Sequence, residues 1–76
     1  MNTKITTRIW EGSILIDKKV KYINLEFDVI IKKVLRGFRA VDNIDLIVEE
    51  ADYITFIGDS KNCLKLLEKT TKGDKD

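Results

Sequence analysis

The residues able to do chemistry are few, and what is missing among them narrows the field first. The 76 residues include no histidine and one cysteine. General acid and base work near neutral pH most often uses an imidazole, so a catalytic centre here would have to be built from carboxylates. The densest acidic group is Glu49, Glu50, Asp52 and Asp59. In a turn between strands these oxygens could converge on Mg²⁺ or Ca²⁺, yet no EF-hand spacing or similar ligand pattern occurs, and a solvated acidic turn accounts for them. Cys63 stands among Leu64, Leu66 and Leu67, where a thiol packs as a small hydrophobe unless something lowers its pKa. A lone cysteine without histidine gives neither an intrachain disulfide nor a Cys/His zinc site. The expectation is therefore no catalysis, no metal and no cofactor.

An anion could meet free backbone N–H groups at Ile57-Gly58-Asp59-Ser60-Lys61-Asn62, where a strand would run into a helix. The segment lacks the second glycine and the Gly-Lys-Ser/Thr order of a Walker loop, and Asp59 would repel phosphate. It reads as a glycine turn followed by an aspartate N-cap.

Binding chemistry is richer. Read as a helix, Ile23–Phe38 places Lys32, Lys33 and Arg36 opposite an apolar stripe, with Leu25 and Val29 among them. Two apolar residues ringed by cations suit an acidic protein surface, and Trp10 beside a turn suits an interface anchor. The partner-binding set is then Leu25, Val29, Lys32, Lys33, Arg36 and Trp10. The alternative is a phosphate-backbone footprint of Lys18, Lys19, Lys21, Lys32, Lys33, Arg36 and Arg39. A third option, a base-stacking sheet of Trp10, Tyr22, Tyr53 and Phe56 with Arg8 nearby, is weakened by the lack of an RNP-like strand. Phe27, Phe38 and Phe56 read more simply as core.

These groups need elements to position them. Ile23, Phe27, Ile30, Ile31, Val34, Leu35 and Phe38 fall in an arc of roughly 140° at helical spacing, the width of a core-facing stripe. That predicts a central helix over Ile23–Phe38, capped by Asn24 and stopped by Gly37. Before it, Lys4–Trp10 reads as a strand, Glu11-Gly12 as a hairpin turn, Ser13–Ile16 as the return strand and Val20–Ile23 as a third. After it, Phe38–Val41 is extended, Asp42-Asn43 turns, and Ile44–Val48 alternates as a strand, with a helix through Ile44–Ala51 as the rival. Tyr53–Ile57 is the window of strongest β propensity, and Asp59 caps a second helix from Ser60 to about Thr71. The expected fold is a small single α+β domain over residues 1–71, a largely antiparallel sheet with two helices packed on one face, and a frayed charged tail at 72–76.

Composition bounds the rest. A net charge of +1 supplies no long-range field. No run reaches the length of a signal peptide or a membrane span, so a cytoplasmic protein is expected. Richness in Ile and Lys suggests a low-GC bacterium, with a mobile element or phage as a source. A chain this short buries only about 60% of its unfolded surface, and Ile5–Ile9 and Tyr53–Ile57 look like apolar, unguarded sheet edges. Both point to a homodimer through a sheet edge or to an obligate partner. No motif is specific enough to carry a resemblance to a known family. The reading is a small non-catalytic protein-binding regulator or adaptor; a small nucleic-acid-binding domain is the alternative.

Overall fold

The computed structural model describes residues 2–71. Its elements are β1 (Asn2–Arg8), α1 (Val20–Phe27), β2 (Val29–Arg36), β3 (Arg39–Val41), β4 (Tyr53–Asp59) and α2 (Ser60–Lys69). The strands form one antiparallel sheet in the order β1-β4-β2-β3. Ile54 and Phe56 of β4 are fully buried and pair in register with Thr7 and Ile5 of β1 and with Val34 and Ile31 of β2. Val20 and Ile23 of α1 and Cys63 and Leu66 of α2 close over that side of the sheet in a single core. The α+β fold, with both helices on one face, is as the sequence led us to expect.

The central helix is not. α1 ends at Phe27, Asp28 turns the chain in the left-handed conformation (φ 56°, ψ 51°) with its N–H donating to Asn24 O, and Val29 begins a strand. The misleading helical period has a specific origin. Val29 and Ile31 point inward at strand spacing, and a bulge between Ile31 and Lys33 then brings Val34 inward as well. Two strand positions three residues apart thus imitate a helical repeat, while the β-branched run favours the strand. Asn24 caps nothing. Its Oδ1 accepts the Ile31 N–H at 2.9 Å, on a stretch of β2 that β3, paired only with Val34–Arg36, does not reach.

Four further expectations fail. Ser13–Ile16 is a series of turns rather than a return strand; Ser13 Oγ donates to Lys69 O at 2.5 Å and accepts the Leu15 N–H, which fixes Leu15 in the core. Val20–Ile23 is the start of α1, not a strand. Ile44–Val48 forms neither strand nor helix: it makes an isolated bridge between Ile47 and Lys19, and two of its carbonyls serve α1. The Val20 and Lys21 N–H groups donate to Leu46 O and Ile44 O at 2.9 Å, so carbonyls from far along the chain satisfy first-turn donors that Lys19, the N-cap residue, leaves without a side-chain cap. Phe38, expected in the core, sits fully exposed in the two-residue β2–β3 turn, where Gly37 takes the positive φ of 63°.

Tyr53–Ile57 is also not an edge. It lies in β4, flanked on both sides, as suits a nearly continuous apolar run. Ile5–Arg8, in β1, does lie along an edge. At α2 the local reading holds: Asp59 Oδ2 accepts the Lys61 N–H at 3.2 Å. The expected tail, 72–76, lies outside the described residues.

Candidate ligand cleft beside the first helix

Splitting the predicted helix into α1 and β2 disperses the residues read as one face. Leu25 is on α1 and 78% exposed, whereas Val29 is buried at the start of β2, against Gly58. Lys32 and Lys33 are exposed at the β2 bulge. Trp10 lies past the end of β1 with the Arg8 guanidinium 4.3 Å from its ring centroid.

Arg36 is committed elsewhere. Its Nε and one terminal nitrogen bind the two carboxylate oxygens of Asp52 at 2.8 Å, that nitrogen also donates to Ile47 O, and its other nitrogen is 3.5 Å from Glu49. Asp52 is 1% exposed and also accepts the Glu49 N–H. The hydrogen bond to Asp52, above all, raises the guanidinium pKa further. This fork pins the end of β2 to the chain entering β4 and leaves Arg36 no donor face for a partner.

The acidic group does not converge: Asp52 and Glu49 serve Arg36, and Asp59 caps α2. No group of three or more acidic, Cys or His side chains suited to a metal gathers among the described residues. Cys63 is fully buried; its Sγ donates to Thr3 O at 3.6 Å, and burial pushes the thiol pKa up.

What the fold does assemble is a shallow cleft of about 10 Å³ between α1, β2, β3 and the segment after it. Val20, Ile31, Val34 and Val41 form its apolar part, and Lys33, Asp42 and Asn43 supply polar groups. Ile44 borders it and is half exposed; Tyr22 and Leu25 of α1 and Ile47 nearby are exposed large apolar side chains too. Around them Lys21 pairs with Asp45 at 3.0 Å and Lys18 with Glu26 at 3.8 Å. Among the described residues no carboxylate is within ion-pair distance of Lys32, Lys33 or Arg39. Such a place presents an apolar wall beside one cation, one carboxylate and one amide.

The β1-β4-β2-β3 sheet with two helices on one face defines a small α+β domain, and sequence comparison makes it more particular. The chain belongs to the TrkA-C domain family, which matches residues 7–71. Its fold is similar to the RCK_C domain dimer of S. agalactiae BusR in complex with c-di-AMP, at TM-score 0.76 and 14% identity over 88% of both chains. S. agalactiae BusR in complex with its busAB-promotor DNA matches at the same score and identity, over 88% of this chain and 35% of that one. An RCK domain with cda matches at TM-score 0.73 and 10% identity, over 88% and 96%. No curated protein matches in sequence. No helix among the described residues is long and apolar enough to cross a membrane.

The sequence reading did not find the cleft, because its walls meet only through tertiary structure. Its one available signal was Ile47, which breaks the polar side of an otherwise alternating strand.

Proposed function

We propose that this chain is a non-catalytic regulatory domain that dimerises and senses a cyclic dinucleotide, binding it at the cleft between α1, β2 and residues 41–44. The observation that carries the reading is the close fold similarity, over 88% of both chains, to a BusR domain dimer holding c-di-AMP. The chemistry of the cleft agrees with it. Val20, Val41 and Ile44 offer an apolar wall to a purine, Asn43 and Asp42 offer hydrogen bonds to its edge, and Lys33 with nearby cations suits bridging phosphates. With about 10 Å³ of enclosed space, room for about one water, the cleft of a single chain falls far short of the roughly 300 Å³ that a drug-sized ligand needs. A second copy docked on exposed Tyr22, Leu25, Ile44 and Ile47 would supply the missing walls. The dimer is thereby assigned to the α1 side rather than to a sheet edge, and of the partner residues read from sequence Leu25 keeps that role.

Calorimetry with c-di-AMP and sedimentation of the free and liganded chain test this. Lys33→Glu should abolish nucleotide binding and leave the dimer, whereas Ile44→Glu should lose both. A monomer that binds no cyclic dinucleotide would refute the reading. The nucleic-acid alternative would show instead as salt-sensitive duplex binding lost on changing Lys32, Lys33 and Arg39; Lys18, Lys21 and Arg36 are already ion-paired.

A further inference from the structure

Among the described residues no helix packs on the side of the sheet away from α1 and α2. Its side chains fall in four rows set by the strand register. Lys4, Ile57 and Ile30 make the first, Thr6, Thr55 and Lys33 the second, and Arg8, Tyr53, Leu35 and Ala40 the third. Ile30, Leu35 and Tyr53 are 55%, 36% and 45% exposed, although each is large enough to be worth burying. No acidic residue occurs in these three rows; the fourth, at the α2 end, pairs Asn2 with Asp59, and Asp28 lies beside Asn2, Ile30 and Ile57 there, so the acid-free part of the face runs from Lys4 to Arg8. Arg8 adds a second oddity, since its Nε is buried with no hydrogen-bond partner among the described residues and its guanidinium rests on the Trp10 ring. An unsatisfied cationic donor at the edge of an apolar strip is a place for a carboxylate.

We propose that this open sheet face is a docking surface for an acidic amphipathic helix of a partner protein. The dimensions fit. Ile57 and Tyr53 are four strand residues apart, about 13 Å, and helix positions i and i+8 are about 12 Å apart. Apolar residues at i, i+4 and i+8 thus cover the first and third rows, and carboxylates on the flanks meet Lys4, Arg8 and Lys33. A second copy of this chain is the poorer occupant, because it would set like charges against one another. Nucleic acid is poorer too. Tyr53 is the sole aromatic side chain in the rows, and the second row is closed by a 2.8 Å hydrogen bond between the Thr6 and Thr55 hydroxyls, whereas base stacking needs repeated aromatic faces.

The test is a titration of the 76-residue chain with a synthetic helix of about 15 residues, Leu at i, i+4 and i+8 and Glu between, followed by heteronuclear NMR and Trp10 fluorescence. Saturable binding with the largest amide shifts at Ile30, Leu35, Tyr53 and Ile57 is expected, weakened about tenfold or more in a Lys4→Glu plus Arg8→Glu variant. Lys33 is spared because it also borders the cleft. Ile44→Glu should leave peptide binding unchanged, so this face and the nucleotide cleft can fail independently. The proposal is overturned by absence of saturable binding, by shifts centred on α1 and residues 44–47, or by equal binding of a peptide with Lys in place of Glu. Tighter binding of oligo(dT), or a dimer that Leu35→Glu dissociates, would overturn it as well.

Discussion

Val20–Arg36 and Tyr53–Lys69 are two apolar stretches that each contain one helix and one strand, in opposite order. In the second, the junction is written locally. The strand runs through Gly58 to Asp59, which caps the helix with its own side chain, and Cys63 and Leu66 turn inward at helical spacing. In the first, nothing local marks the junction. One aspartate takes a left-handed conformation, α1 starts without a side-chain cap, and a β-bulge disguises the strand as more helix. The two junctions also touch: Gly58 of β4 pairs with Val29 of β2, and a Cβ on it would lie 3.1 Å from Val29 Cγ1. A helix can be stopped by its own residues or by what surrounds it, and only the first kind of stop is readable in advance.

That difference can be broken from either side. The largest effect is expected where the two stretches are tied together. Asp52→Ala would strand the Arg36 guanidinium and the Glu49 N–H, and should cost about 3 kcal/mol in urea unfolding. At the unmarked junction, Asp28→Val should cost about 2 kcal/mol, because a β-branched residue resists positive φ, while Asp28→Gly should stay within about 0.5 kcal/mol. Equal losses for both would mean that the aspartate side chain, rather than the backbone conformation, matters. Asn24→Ala leaves the Ile31 N–H without its acceptor, for about 1.5 kcal/mol. Loss of the cap in Asp59→Ala should cost about 1 kcal/mol, and an Asn24 effect smaller than this would show that the tertiary stop is the weaker one.

The smallest effect concerns the segment that caps α1 from a distance. Lys21, by hydrogen bond and charge, holds the Asp45 carboxyl below the usual carboxylate range. A lowered folded pKa means a contribution present above the ordinary carboxylate pKa and lost as pH falls through the folded value. An NMR titration should find the Asp45 midpoint depressed in the native chain and restored in Lys21→Met. Both groups are on the surface, so salt should shrink the difference.

Much of the fold was legible from sequence. The β1 edge strand, the β4 window, the Asp59 cap and the α2 face each rest on residues within a few positions of one another, which is the range over which propensity, alternation and capping act. The site was far less legible. Leu25 and Lys33 are where a ligand or partner could meet them, but Val29 is in the core and Arg36 is bound to Asp52, because both were read from a helix that the bulge at Lys32 and Lys33 only imitates. Leu15, Ile9 and Val48 are fully buried although they lie in segments without regular structure, and no periodicity announces such positions.

The sequence by itself determined that a small α+β domain forms and that its thiol is a packing group. Tertiary structure decided where α1 stops, which strand is central and which residues share a surface. The reason is physical. A run such as Val29–Arg36 satisfies a helical and a bulged-strand pattern about equally well, and the choice falls to partners distant in the chain: β4 along one side, Asn24 covering Ile31, and Asp52 holding Arg36.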